Sequence, residues 1–247
     1  MTALIWAIGA TVIVSLLSLL GIISLSIKEK LLQKMLLKLV GFSAGALMGG
    51  AFLHLIPEAI EVSTLSFVGL SVLIGFAAFF IIERFLYWHH CHEGKCDVHT
   101  FTYMSLIGDS IHNLIDGLVI AASFVINIPL GIATTIAVIT HEIPQELGDF
   151  AILVYGGFSK LKALLFNFLT AIMAIVGAIV GVFLSSSIEN FTAFLIPFAA
   201  GGFIYIAASD LVPELHKESK LNQSIMSFVF FLVGIALMLI LKVYMGG

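Results

Sequence analysis

The chain has 247 residues, of which 60% are hydrophobic and 11% charged, and its net charge is -4. A soluble domain carries roughly 25% charged residues. With so few, and with a mean hydropathy of +1.16, this chain cannot clothe a water-facing surface and is expected to lie in a lipid bilayer. Its basic residues are scattered rather than clustered, which excludes a nucleic-acid partner.

A helix needs about 20 apolar residues to cross a hydrocarbon core of about 30 Å. Eight stretches qualify in chain order: residues 4–27, 39–56, 65–82, 101–126, 130–155, 163–187, 191–212 and 225–241. The sequence therefore predicts an all-α membrane protein with eight transmembrane helices, forming a single transporter-like domain over residues 1–247. The first run is too long for a signal-peptide core and lacks a basic leader, so it is read as a span that stays.

Lys28, Lys30, Lys34 and Lys38 follow the first span, Arg84 and Lys95 the third, Lys160 and Lys162 the fifth, and Lys217 and Lys220 the seventh. The intervening loops carry none of the basic residues, and only Lys242 breaks the pattern. By the positive-inside rule the Lys-bearing side is cytoplasmic and both termini lie outside. A multi-pass protein of the cell membrane (plasma or inner) is the expected setting.

The second and seventh spans share a pattern. Phe42, Ala44, Gly45, Leu55, Pro57 and Glu58 match Phe198, Ala200, Gly201, Leu211, Pro213 and Glu214 at a constant offset of 156. Five intervening spans make the two copies run in opposite directions. Inverted repeats of this kind recur in secondary transporters, with the substrate held near the midplane. The fourth and fifth spans then form the central hairpin.

That hairpin concentrates the ionisable groups. Burying a charge at the bilayer centre costs at least about 2.5–3.5 kcal/mol, so such residues demand a reason. The fourth span offers Asp109, His112, Asn113 and Asp116, and the fifth His141, Glu142, Gln145, Glu146 and Asp149. Asp109, His112 and Asp116 stack on one helix face, as do His141 and Gln145. Counting about 1.5 Å per residue from the turn at 127–129 sets Asp116 level with His141 and His112 level with Gln145. Nitrogen and oxygen ligands mixed in this way suit Zn²⁺, Fe²⁺, Mn²⁺ or Cd²⁺. The absence of Cys from every span argues against Cu(I). A buried polar network or a proton relay is the alternative, and nine such groups on two facing helices favour the ion path.

Pro57, Pro144 and Pro213 each follow a ligand-type residue by three: His54, His141 and Asp210. A helical proline cannot donate to the carbonyl four residues back, which frees the carbonyls of Leu53, Thr140 and Ser209. Glu58, Asp210 and Glu214 join Asp109 and Asp149 as candidate pathway residues. The loop at 88–100 holds His89, His90, Cys91, His92, Cys96 and His99. It can capture a soft or borderline metal, although its spacing fits no structural zinc pattern.

These motifs resemble the ZIP (Zrt-, Irt-like) metal transporter family: His-Asn-x-x-Asp-Gly at 112–117, His-Glu-x-Pro-x-Glu-x-Gly-Asp at 141–149, His-x-x-Pro-Glu at 54–58, and the His-rich loop. The resemblance implies a 3+2+3 inverted arrangement, a homodimer, an elevator-like movement of one helix bundle against another, and import of a divalent metal, zinc first, toward the cytoplasm. The metal is then cargo, with no resident cofactor and no enzymatic step. The resemblance further implies that His112, Asp116 and His141 form a first metal site and Asn113 and Glu142 a second, with His54 on the path from outside. Gln145 stands where close relatives carry His, and the sixth span lacks the acidic ligand some relatives place there. The other class that fits is an intramembrane zinc-dependent hydrolase, because His-Glu-x-x-His on a helix is a zinc-protease signature. Here Gln145 replaces the second His and Pro144 interrupts the helix.

Overall fold

The computed structural model describes residues 2–21, 29–90, 98–155, 157–188, 190–216 and 219–245. Among these there is no strand. The first span is α1 (Thr2–Leu17), ending in the 3-10 turn Ser18–Leu20. Helix α2 (Glu29–Gly49) runs through a π-helical turn at Gly50–Leu55 into α3 (Ile56–Val62). Then come α4 (Leu65–His90), α5 (Val98–Ile126) and α6 (Ile128–Tyr155). The sixth span is broken into α7 (Lys160–Ala171) and α8 (Met173–Ser187). Helix α9 (Phe191–Tyr205) runs through a second π-turn, Ile206–Leu211, into α10 (Val212–His216), and α11 (Leu221–Met245) follows.

Among the described residues, seven helices are long and apolar enough to cross a membrane: Thr2–Leu20, Leu37–Val62, Leu65–Arg84, Leu106–Ile126, Lys160–Ser187, Phe191–His216 and Leu221–Tyr244. The remaining predicted span falls on α6. Its 28 residues extend about 42 Å at the usual rise, but His141, Glu142, Gln145, Glu146 and Asp149 lower its apolar content. Those side chains are kept from lipid by their position: His141, Glu142 and Glu146 are buried. Helices α4 and α11 lie at the periphery, each with 17% of its spanning window buried, while the windows through α2, α5 and α9 are 56–67% buried.

Two positions show why glycine is needed. A Cβ on Gly45 would sit on the Phe231 carbonyl of α11, and one on Gly201 would sit on the Val72 carbonyl of α4. Small residues let backbones approach closely where lipid supplies no hydrophobic drive between helices. These two glycines are 156 residues apart, and so are the two π-turns. In the first turn the Ile56 N–H donates to Ala51 O, and in the second Val212 N–H donates to Ala207 O, the same five-residue bond. Each turn is followed closely by a proline, Pro57 or Pro213. The accepting carbonyls are those of Ala51 and Ala207, two residues before the Leu53 and Ser209 carbonyls whose helical partners the prolines remove. The prolines at 57 and 213, expected to kink their helices, each follow a widened turn.

The break between α7 and α8 has no proline to announce it. Ile175 N–H donates to Ile172 O, and the Ser15 hydroxyl of α1 donates to Ala171 O at 2.7 Å. The break is thus sealed by a hydroxyl from another span, as buried carbonyls require.

Candidate metal centre

The α5–α6 turn fixes the depth of everything on the hairpin. Asn127 Oδ1 accepts from Leu130 N–H at 2.7 Å and caps α6, while its Nδ2 donates to Glu58 Oε1 of α3 at 2.7 Å. Below this turn α5 and α6 bring four side chains together. His112 Nε2 and His141 Nε2 are 3.1 Å apart. Asp116 Oδ2 lies 3.1 Å from His141 Nε2 and 3.6 Å from His112 Nε2. Glu142 Oε1 lies 3.3 Å from His112 Nε2 and 3.6 Å from His141 Nε2. All four ligand atoms lie within 4.8 Å of one another.

A tetrahedral zinc site with arms of about 2.0–2.2 Å has ligand-to-ligand edges of about 3.3–3.6 Å. Five of the six edges run from 3.1 to 3.6 Å and the sixth, between Asp116 and Glu142, is at most 4.8 Å, so the four side chains can converge on one zinc-sized ion. His141 Nδ1 is 3.1 Å from Ala137 O. A ring that donates from Nδ1 keeps its Nε2 lone pair for a metal, and such an outer bond fixes the tautomer. Asp116, His141 and Glu142 are buried, while His112 keeps 15% of its side chain exposed. His112 is thus the least enclosed of the four.

The neighbouring polar groups make a second layer. Asn113 is fully buried, and its Nδ2 donates to Asp109 Oδ1 at 2.9 Å and to Asp109 O at 3.1 Å. Gln145 Nε2 donates to the same Asp109 Oδ1 at 3.4 Å. Glu146 accepts from Asn167 of α7 through Oε2. Asn113 Oδ1, Glu142 Oε2 and Glu146 Oε1 are buried with no hydrogen-bond partner. Oxygens that only accept, held away from water, match a positive guest.

The remaining sequence candidates stand apart from the four. His54 is buried in the first π-turn with Nε2 2.8 Å from Met238 O. Asp210, in the second π-turn, and Glu214, on α10, are exposed, and Asp149 is half-buried. Cys91, His92 and Cys96 lie outside the described residues. His89 and His90 end α4 and His99 begins α5, but their side chains also lie outside the described residues.

Sequence reasoning missed Ser43 and Asn167. The carbonyl of Thr140, which Pro144 deprives of its helical partner, accepts from the Ser43 hydroxyl of α2, so it does not line the path as a bare acceptor. Asn167, which donates to Glu146, is a lone amide in an apolar helix, and no spacing pattern singled it out.

An all-α chain with several membrane-crossing helices and an interior nitrogen–oxygen centre defines a class: multi-pass membrane proteins that handle metal ions. The family model described as ZIP zinc transporter matches residues 1–100 and 88–242. The chain belongs to that family. It is 32% identical to zinc transporter zipt-7.1 of Caenorhabditis briggsae, covering 83% of this chain and 70% of the relative. It is 34% identical to zinc transporter YKE4 of Saccharomyces cerevisiae, covering 81% and 69%. Zinc transporter ZIP13 of Pongo abelii is 32% identical, covering 84% and 67%. Members of the family are transporters, not enzymes, and the hydrolase alternative gains nothing from the geometry. Glu142, the residue a hydrolase would use as base, sits among the ligand atoms itself.

Proposed function

We propose that the protein carries a divalent metal ion, zinc first, into the cytoplasm through a transport site made by His112, Asp116, His141 and Glu142. The observation that carries this reading is the set of ligand spacings: two imidazoles and two carboxylates at 3.1–3.6 Å, on the two helices that hold the family's motifs. Asn113, Gln145 and Glu146 flank the site, and His54 and Glu58 lie toward the outside. Asp109 lies beside the site, and Asp149, Asp210 and Glu214 line the way toward the cytoplasm. The loop histidines and cysteines catch ions on exit.

The same reading takes α6 as the eighth span, with both termini outside, in the cell membrane. Spans one to three and six to eight are inverted copies around the central hairpin, in a 3+2+3 arrangement. The common offset of the two π-turns and of Gly45 and Gly201 supports it. Assembly as a homodimer follows from the family resemblance. With the inside negative, a divalent ion gains about 4.6 kcal/mol per 100 mV on entry, so import needs no ATP. The test is zinc uptake into liposomes holding the purified protein. Uptake driven by the gradient alone supports the reading, and flux strictly dependent on ATP contradicts it.

A further inference from the structure

Asp109 is 6% exposed and stands one helical turn from His112 on α5, yet it does not join the four clustered ligand atoms. Its Oδ1 instead takes the amide hydrogens of two other residues, Asn113 at 2.9 Å and Gln145 at 3.4 Å. Each of those residues adjoins a ligand: Asn113 follows His112, and Gln145 is one turn from His141.

We propose that Asp109 is a positioning residue that orients the Asn113 and Gln145 amides, so that their oxygens and not their N–H groups are offered to the passing ion. The inference rests on the transport reading above.

A side-chain amide has two opposite ends of similar size. One is an oxygen that attracts a cation, and the other an NH₂ that repels it. Nothing in an amide's shape decides which end faces the ion, and only its hydrogen-bond partners do so. An ionised carboxylate solves this because it only accepts. With both NH₂ groups committed to Asp109, the two carbonyl oxygens turn the other way. Asn113 Nδ2 is held twice, by Oδ1 and by the backbone carbonyl of Asp109, and Asn113 Oδ1 stays buried and unpartnered.

The experiment measures zinc and manganese uptake by the full-length protein in liposomes. Asp109→Asn can both donate and accept, so it no longer selects one flip. The half-saturation concentration for zinc should rise about tenfold, as loss of an outer partner of a metal site does, with maximal flux nearly unchanged. The rise for manganese should be larger, because manganese depends more on oxygen donors. In a background of Asn113→Leu with Gln145→Leu, Asp109→Asn should add no further loss. The same loss with or without the amides would mean that Asp109 acts on the ion directly, and would overturn the proposal. If the triple variant fails to reach the membrane, Asp109→Glu decides. It should keep the wild-type zinc-to-manganese ratio that Asp109→Asn shifts, and an identical ratio in both variants also overturns the proposal. Wild-type vesicles that take up neither metal would sink the transport reading itself. Uptake that Asp109→Asn leaves unaltered would sink only this inference.

Discussion

The two π-turns are one backbone in two settings. Gly50–Leu55 and Ile206–Leu211 have the same length, the same terminal five-residue bond and a proline at the same distance. In the first, His54 and Leu55 are buried, and His54 bonds the Met238 carbonyl of α11. In the second, residues 208–210, including Asp210, are exposed. Local sequence therefore sets the turn, while its neighbours decide whether it is covered. If the proposed transport site and orientation hold, the centre is closed on the side of His54 and open on the side of Asp210, the side proposed as cytoplasmic.

Unequal turns have a functional consequence only if both serve the proposed four-ligand centre. His112→Ala and His141→Ala each remove a ligand and should reduce zinc uptake to background at normal membrane abundance. Wild-type flux in either would place the path elsewhere and empty the comparison of meaning.

Unequal access can be measured next. In a protein with Cys91 and Cys96, its only cysteines, replaced by Ser, a water-soluble thiol reagent on the cytoplasmic side should label Asp210→Cys readily and His54→Cys hardly at all. Equal labelling would erase the difference between the turns.

A smaller effect concerns a residue the repeats do not share. Ser43 donates to Thr140 O, whereas the matching position in the second copy is Ala199. Ser43→Ala makes the copies alike but strands a buried carbonyl, at a cost of about 1–3 kcal/mol. The melting temperature of the purified protein should fall. An unchanged value would mean that this bond contributes nothing to holding α2 against α6.

The smallest effect should come from the loop at 88–100. Replacing His89, His90, His92 and His99 by Ser should leave transport largely working, because the proposed site of His112, Asp116, His141 and Glu142 does not draw on them. Complete loss of uptake would make the loop part of the essential path.

Much of this was legible in the sequence because helices convert residue number into depth. Counting from the 127–129 turn set Asp116 level with His141, and their ligand atoms are 3.1 Å apart. The same count set Gln145 level with His112, yet Gln145 bonds Asp109. Rise per residue gives depth, but not rotation about the axis or side-chain reach. For that reason the count did not show that the Glu142 carboxylate, assigned by resemblance to a second site, clusters with His112, Asp116 and His141. Ser43, Ser15 and Asn167 stayed hidden for another reason. A lone polar residue in an apolar helix leaves no periodic trace, and the partners of Ser43 and Ser15 are backbone carbonyls that every residue carries.

The central claim is that zinc is held by two imidazoles and two carboxylates inside the membrane. X-ray absorption at the zinc edge, on full-length protein loaded with one equivalent of zinc, tests it most directly. The account predicts a four-coordinate shell of nitrogen and oxygen at about 2.0–2.2 Å with the scattering signature of two imidazoles, and its loss in His141→Ala. Sulfur at about 2.3 Å, or a shell unaltered by His141→Ala, would contradict it.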